Sequence, residues 1–324
     1  MQRLSSKDLI MPYFVIEGRN KKEPVADMPG IARLTIDNLL EEILEVKQLG
    51  IPRVLLFGAC PRQYKDELAS YAYAKNNIVS RAVAELKRKI KGIAVITDVC
   101  LCAYTSHGHC GILKTENRKQ KTKNKVCIDN KETLKVLAKI ALSHAQSGAD
   151  WVAPSAMAKG QVLALREVLN KYGYKKTKIL GYSAKFNSNF YGPFRNAASS
   201  APLFGDRSGY QLDYSNAQGA LKKIKEDIDS GADMVMVKPA LSYLDIIKEA
   251  KRKFNYPLAA YNVSGEYALV KMGASIGLWQ EKEVALEIIT SIKRAGADYI
   301  ITYHAKDVAK WIKQKNYLIS PSVI

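Results

Sequence analysis

The chain has 324 residues, 47% of them hydrophobic, which is enough to bury the core of one large domain or two ordinary ones. It carries 50 Lys and Arg against 31 Asp and Glu, a formal net charge of +19, and it has five cysteines. No apolar run reaches the roughly 18 residues of a membrane-spanning helix, and the N-terminus lacks a signal-peptide pattern. The odd cysteine count disfavours a disulfide framework, so the sequence predicts a cytoplasmic protein with reduced thiols and no membrane partner.

The positive charge has two interpretations. It is compatible with a nucleic-acid partner, but most basic residues are spread along helical faces, as in residues 87–91 and 222–225. One dense basic segment, residues 114–125, has almost no apolar residue and is predicted to be an exposed loop. The sequence favours a solvated basic surface, which would attract a small anionic substrate, over nucleic-acid binding.

Short apolar runs typical of buried strands recur along the chain. The eight runs lie at residues 12–16, 53–57, 93–97, 151–153, 179–182, 234–237, 258–261 and 299–302. Amphipathic helical patterns separate most of them, including those at residues 35–50, 131–147, 218–230 and 281–295.

Three helix-to-strand junctions repeat almost literally, with Gly-Ala-Asp at residues 148–150, 231–233 and 296–298. Glycine suits the left-handed residue that commonly ends a helix, so each junction marks one β/α unit. Eight such units predict a (β/α)8 TIM barrel, which usually needs about 250 residues and leaves room here for long active-site lid loops. We expect a single domain over residues 1–324, with residues 1–11 as a short N-terminal arm.

A cluster of thiols follows the third predicted strand. Cys100 and Cys102 form a Cys-x-Cys pair, and Cys110 follows close behind. Three thiolates without an obvious fourth protein ligand leave a zinc ion one open position, as in catalytic zinc sites. Buried or free thiols are the alternative, and it stays open whether His107 or His109 contributes to metal binding.

Two lysines stand at the ends of neighbouring predicted strands, where TIM barrels place their chemistry. Burial lowers the pKa of a lysine, and Lys185 and Lys238 would each lower that of the other. A neutral amine of this kind attacks carbonyl groups to form a Schiff base. For either lysine alone, a structural ion pair is the alternative. Other polar residues follow the predicted strands at the same end: Asp98, Ser155, Ser264, Glu266, Tyr303 and His304.

Residues 186–211, here called the lid segment, are rich in glycine, proline and aromatic residues. A long stretch without a helical or strand pattern is typical of a loop that closes over an active site. Its Arg195 and Arg207 could each form a bidentate pair with a carboxylate, although either arginine alone would be interpreted as a surface residue. Together they indicate a carboxylate substrate.

Several motifs, in order, resemble the porphobilinogen synthase family, also called 5-aminolevulinate dehydratase. The resemblance runs from about residue 8 to about residue 311. The motifs are Asp98-Val-Cys-Leu-Cys102, His-Gly-His-Cys110, Tyr182-Ser-Ala-Lys-Phe, Phe190-Tyr-Gly-Pro-Phe-Arg195, Phe204-Gly-Asp-Arg207, Met236-Val-Lys-Pro239, Val263-Ser-Gly-Glu266 and Gly296-Ala-Asp-Tyr-Ile-Ile-Thr-Tyr303. The family joins two 5-aminolevulinate molecules into porphobilinogen, a precursor of haem and other tetrapyrroles.

The resemblance implies a role for each matched residue. Lys238 would form the essential Schiff base, and Lys185 would hold the other substrate molecule as a Schiff base or act as acid and base. The three cysteines would hold one catalytic zinc ion per subunit. Arg195, Arg207 and Gln211 would bind the carboxylate of the first substrate. Ser264 and Tyr303 would bind the carboxylate of the second. Asp98 and Ser155 would line the pocket of the second substrate.

The chain departs from the family pattern at several positions. The family usually has Pro-Ser-Asp-Met-Met-Asp-Gly after strand four, whereas Ala156 and Lys159 replace its two acidic residues here. Gly209 stands where some zinc-using members have a further cysteine, and Gly219 replaces the acidic residue for an activating magnesium. The resemblance therefore supports neither a second zinc nor an allosteric magnesium.

The sequence thus predicts a zinc-dependent porphobilinogen synthase, a hydro-lyase, whose partners are 5-aminolevulinate and further copies of itself. The alternatives are a paralogue that acts on another keto or amino acid, suggested by Ala156 and Lys159, and a basic zinc protein that binds nucleic acid. In this family a long N-terminal arm helps to build octamers. The short arm here and Gly219 predict an assembly smaller than the octamer.

Overall fold

The computed structural model describes residues 3–114 and 126–315. Residues 115–125, most of the basic segment predicted to be an exposed loop, lie outside the described residues. The strands are β1 Leu9–Val15, β2 Lys22–Pro24, β3 Ala32–Leu34, β4 Arg53–Gly58, β5 Ala94–Val99, β6 Trp151–Pro154, β7 Lys178–Lys185, β8 Met234–Lys238, β9 Leu258–Asn262 and β10 Tyr299–Thr302.

Eight parallel strands, β1 and β4 to β10, form a closed barrel. Each pairs with the next along the chain, and β10 returns to pair with β1 through Leu9 opposite Ile300. The helices are α1 Ile36–Gln48, α2 Ile78–Lys89, α3 Asn130–Gln146, α4 Gln161–Lys171, α5 Gly192–Ala197, α6 Ala217–Asp229, α7 Leu244–Phe254, α8 Ser264–Ser275, α9 Glu281–Ala295 and α10 Ala305–Lys315. The predicted (β/α)8 barrel and all eight of its strands are confirmed.

The repeated Gly-Ala-Asp junction has a common structural cause. In each copy one aspartate oxygen accepts a backbone N–H from one of the first two residues of the preceding barrel strand, at 2.7–2.8 Å. The same carboxylate also pairs with a cation on a neighbouring outer helix. Each junction therefore ties a strand to the next strand and to the helix layer, and the three bonds are Asp150 to Val95, Asp233 to Ile179 and Asp298 to Leu258.

Most barrel strands extend beyond the predicted apolar runs, and three of them do so by two or more residues. β1 begins at Leu9, three residues earlier than predicted, and β5 and β7 continue far enough to contain Asp98 and Lys185. Asp98 pairs with Ala153, and Lys185 lies opposite Lys238 on β8. The apolar pattern stops at the first polar side chain, but backbone pairing continues because barrel strands bond through their main chains.

The short strands β2 and β3 form an antiparallel hairpin outside the barrel. β3 also pairs with the end of β1, which brings Arg33 opposite Phe14. The hairpin therefore lies at the same end of the barrel as the lid segment. In the described part of the chain, no helix combines the length and the apolarity needed to cross a membrane.

Candidate active site

Two buried lysines end adjacent strands at the carboxyl end of the barrel. Lys185 and Lys238 are 6% and 5% exposed, and both ammonium groups lie over the same Tyr182 ring, at 5.7 and 5.3 Å from its centroid. The Lys185 ammonium donates a hydrogen bond to the carbonyl oxygen of Ser155 at 2.6 Å. The two amines that the sequence predicted to act together therefore lie in one pocket.

An aromatic box surrounds the Lys238 amine. The Tyr261 ring lies 4.2 Å from its nitrogen, and the Tyr191 and Phe194 rings each lie 5.1 Å away. The box excludes water. Burial, followed by the positive charge of Lys185, lowers the pKa of Lys238 to about 7, although Asp98 acts in the opposite direction. Near neutral pH a large share of this amine is uncharged and nucleophilic.

Asp98 and Ser155 lie beside the lysine pair. Burial raises the pKa of Asp98 to about 6, while a hydrogen bond from Ser155 and the two lysine charges oppose the rise. One Asp98 carboxylate oxygen is buried without a hydrogen-bond partner among residues 3–114 and 126–315. A carboxyl group of this kind can exchange a proton near neutral pH.

The three predicted metal-ligating cysteines converge. The sulfur atoms of Cys100, Cys102 and Cys110 lie within 4.8 Å of one another, and all three side chains are buried. Zinc–sulfur bonds of about 2.3 Å in a tetrahedral site hold sulfurs about 3.8 Å apart, so the group fits a zinc ion after small adjustments. Hydrogen bonds from the other two thiols lower the pKa of Cys110 well below its ordinary value.

Neither neighbouring histidine belongs to this group of potential ligands in the described chain. One ring nitrogen of His109 lies 2.9 Å from the carbonyl oxygen of Phe204, and the other lies 3.2 Å from the Tyr210 hydroxyl. His107 accepts the backbone N–H of His109 at 3.1 Å. His109 therefore links the cysteine loop to the lid segment.

The predicted carboxylate-binding residues of the lid segment present polar atoms with no partner. Nε of Arg195, Nε of Arg207 and both side-chain polar atoms of Gln211 are buried and unbonded in the part of the chain that the structure describes. Such groups are costly to bury without a partner, and a bound carboxylate would supply one. Burial lowers the pKa of Arg207, but the nearby Cys110, followed by Cys102, raises it further, so it stays a cation.

The predicted binders of a second carboxylate lie at the aromatic box and against the lid segment. The Tyr303 hydroxyl lies 3.1 Å from that of Tyr261, within the aromatic box. Ser264 is engaged by the lid segment, because its hydroxyl accepts the Phe194 N–H at 3.0 Å and donates to the Phe190 carbonyl oxygen at 3.2 Å. Part of the lid segment forms helix α5, so the prediction of a structureless loop was wrong there.

Several residues at the site did not emerge from the sequence as functional. The aromatic box was missed because Tyr191, Phe194 and Tyr261 are distant in sequence from Lys238 and resemble ordinary core residues. In the sequence Glu266 is only one of several polar residues that follow a strand, yet its buried carboxylate accepts backbone N–H groups from Val263 and Leu241, both at 2.7 Å. These bonds hold the segment after Lys238 against the end of β9.

The fold and the site define a class of protein: a (β/α)8-barrel enzyme with buried amines and a trithiol group at the carboxyl ends of its strands. A family model of delta-aminolevulinic acid dehydratase matches residues 1–311. Enzymes of that name are similar to this chain. The Bacillus subtilis protein is 47% identical, and the match covers 96% of this chain and 93% of that protein. The Methanothermus sociabilis protein is 50% identical, and the match covers 95% of this chain and 92% of that protein.

A solved structure is also similar. The delta-aminolevulinic acid dehydratase (porphobilinogen synthase) of Toxoplasma gondii, in complex with the reaction product porphobilinogen, superimposes with a TM-score of 0.93 at 38% identity. The match covers 99% of this chain and 90% of that one. The chain belongs to the delta-aminolevulinic acid dehydratase family, which confirms the resemblance found in its motifs.

Proposed function

We propose that this chain is a hydro-lyase that joins two molecules of 5-aminolevulinate into porphobilinogen, with the loss of two molecules of water. The observation that carries the proposal is the pair of buried lysines on adjacent strands, with the Lys238 amine inside an aromatic box. Each substrate molecule has a ketone that an amine can attack and a carboxylate that must be neutralised.

Lys238 would act first as a nucleophile. Its neutral amine attacks the ketone carbon, and loss of water leaves an imine between the lysine nitrogen and the substrate. The aromatic box protects the imine from hydrolysis because it keeps bulk water away. Lys185, bonded to the Ser155 carbonyl oxygen, would hold the other substrate as a second imine or move protons.

The two substrate carboxylates would be bound by separate groups of residues. Within the described chain, the unpaired polar atoms of Arg195, Arg207 and Gln211 support binding of the first carboxylate. Ser264 and Tyr303 would bind the second, and Ser264 must then exchange its bonds to the lid segment for bonds to substrate. Asp98 and Ser155 would line this second pocket, where the raised pKa of Asp98 suits proton transfer.

The cysteine group would hold one zinc ion per subunit. Three thiolates select zinc over magnesium, which prefers oxygen ligands. When bound with an open position, zinc polarises a carbonyl group or activates a water molecule. Cys110, whose pKa is lowered, would bind as a thiolate. Gly219 offers no carboxylate for an activating magnesium.

Trapping the imine tests the proposal. Incubation with 5-aminolevulinate and borohydride should attach substrate covalently at Lys238, since reduction converts an imine into a stable amine. Lys238→Met should lose this label and all pyrrole formation, whereas Lys222→Met, at an exposed position of the outer helix α6, should keep both. A Lys238→Met protein with near-normal turnover would rule out the mechanism.

Metal content tests the zinc assignment separately. We expect about one zinc per chain by elemental analysis, and less than a tenth of that in a Cys100→Ala, Cys102→Ala double variant. Chelation should abolish turnover, and zinc should restore it better than magnesium. Full turnover in the metal-free double variant would show that the cysteine group has no catalytic part.

The paralogous activity remains the second candidate because Ala156 and Lys159 line the pocket next to Cys110. Pyrrole formation from 5-aminolevulinate favours the first candidate, and a trapped imine without pyrrole formation favours the paralogue.

We further propose a cytoplasmic homo-oligomer. The odd count of five cysteines supports a reducing compartment, and the exposed apolar side chains of Leu269, Met272 and Ile276 on and beside α8 support self-association.

A further inference from the structure

Arg33 connects the β2–β3 hairpin to the lid segment. Its Nε donates to the Ala197 carbonyl oxygen at 2.8 Å, and its Nη2 donates to the Asn196 carbonyl oxygen at 3.0 Å. These two carbonyl groups belong to the last residues of α5, the helix that carries Arg195. The Arg33 guanidinium therefore caps the end of α5 with two hydrogen bonds.

Capping is favourable both for the end of α5 and for the Arg33 guanidinium group. The last carbonyl groups of a helix have no N–H partner within the helix, and a cation beside them is favourable. A guanidinium group presents parallel N–H donors in a rigid plane, whereas an ammonium group cannot bond two neighbouring carbonyls in the same geometry. The Arg33 side chain is 28% exposed, so the contact is partly shielded from water.

Further contacts hold the same region. In the hairpin turn, Asp27 accepts a hydrogen bond from the Asn196 side chain, and Lys65 donates to the carbonyl oxygen of Ser199 just after the helix. On the barrel side, the Phe194 ring packs against those of Phe14 and Phe57, at centroid distances of 5.6 and 4.9 Å. α5 is therefore held between the barrel mouth and a hairpin that lies outside the barrel.

We propose that Arg33 is a positioning residue that aligns Arg195 for the substrate carboxylate by capping α5. This inference rests on the proposed function, because it assigns Arg195 to substrate binding. Among the described residues, the Arg33 side chain bonds only to main-chain oxygens of the lid segment and to Glu23, so it acts through α5 and not on the reacting atoms. The function of the β2–β3 hairpin is then to carry Arg33, the residue that holds α5 in place.

Arg33→Met tests the proposal because it removes the cap and keeps the length of the side chain. The KM for 5-aminolevulinate should rise about tenfold, because a misaligned Arg195 would lose one charge-assisted hydrogen bond to the substrate carboxylate, while kcat changes little. Hydrogen exchange should accelerate by a similar factor at the amides of Ala198 and Ser200, which bond to carbonyl groups within α5. Arg33→Lys should recover only part of both effects.

Two controls isolate the cap. Glu23→Gln removes the ion pair of Arg33 at 3.5 Å but leaves both capping bonds, so exchange and KM should match the wild type. Arg53→Met makes the same substitution at the start of β4, at the other end of the barrel. It should leave the exchange of Ala198 and Ser200 unchanged.

The exchange measurement separates this inference from the proposed function, since it needs no substrate. If the amides of Ala198 and Ser200 exchange at the wild-type rate in Arg33→Met, the capping proposal is overturned, even if the enzyme is active. Faster exchange with an unchanged KM would overturn the positioning role. A wild-type protein that forms no pyrrole would overturn the proposed function and leave the cap to be judged by exchange alone.

Discussion

The environment of Lys238 predicts how imine formation depends on pH. Because the pKa of this amine is lowered to about 7, its neutral fraction should rise between about pH 6 and pH 8 and then level off. An unperturbed lysine would continue to gain neutral amine up to about pH 10. The initial rate of borohydride-trapped labelling across pH 5.5–9.5 measures the difference.

Lys185→Met extends this test. The variant removes the positive charge that helps to lower the pKa of Lys238, so its labelling profile should move to higher pH. If Lys185 only donated protons, its removal would leave the position of the profile unchanged. A profile that still climbs steeply at pH 9 in the wild type would contradict the depressed pKa.

Ala156 tests whether the missing pocket carboxylate matters. The side chain is 3% exposed and lines a cavity of about 760 Å³ beside Cys110 and Lys159. Ala156→Asp should raise kcat/KM for 5-aminolevulinate by roughly fivefold, because a partly buried ion pair with the substrate ammonium contributes about 1 kcal/mol. Ala158 lines the same cavity, so Ala158→Asp serves as the matched control. A lower kcat/KM in Ala156→Asp alone would favour the paralogue.

At the scale of the element, α3 contains a buried titratable group. His144 is 1% exposed, and neither ring nitrogen has a hydrogen-bond partner among the described residues. Burial lowers the pKa of His144 to about 3, against an ordinary value of about 6.5. The folded protein therefore keeps this ring neutral at pH values where the unfolded chain protonates it, which makes the helix sensitive to acid.

The sign of the effect follows from linkage. The contribution of the neutral His144 ring to the free energy of unfolding is fully present above about pH 6.5. Below that value it falls by about 1.4 kcal/mol per pH unit. Urea unfolding at pH 7 and pH 5 should show a loss for the wild type that is about 2 kcal/mol larger than for His144→Leu. Equal losses in the two proteins would mean that His144 is protonated or hydrated in the folded state.

At the scale of the whole molecule, the assembly can be predicted from charge and exposed surface. The exposed apolar side chains around α8 favour self-association, whereas Gly219 removes the carboxylate of an activating magnesium. Light scattering at micromolar protein should show an oligomer smaller than an octamer, with the same mass with and without magnesium. A magnesium-dependent octamer would contradict this expectation, and Met272→Lys should reduce the mass if α8 lies in the interface.

Much of the fold could be predicted from the sequence because its signals are local. The apolar runs gave all eight barrel strands, and the predicted helix at residues 281–295 coincides with α9. Gly-Ala-Asp marked the three helix-to-strand junctions because glycine ends the helix and aspartate bonds the preceding strand. The cysteine group was visible because its three members lie within eleven residues.

Other features depend on contacts between residues far apart in the chain, and only the tertiary structure decided them. Tyr261 lies beside Lys238 because their strands are neighbours in the barrel, although its sequence context is that of a core tyrosine. Arg33 meets Ala197 across 164 positions, a contact that no local pattern encodes. The sequence by itself determined the barrel strands, several of the helices between them and the reactive groups, since short-range periodicity and residue chemistry specify them. The closed barrel decided which of these groups share a pocket and what surrounds them, because burial and electrostatic environment arise only when distant segments pack together.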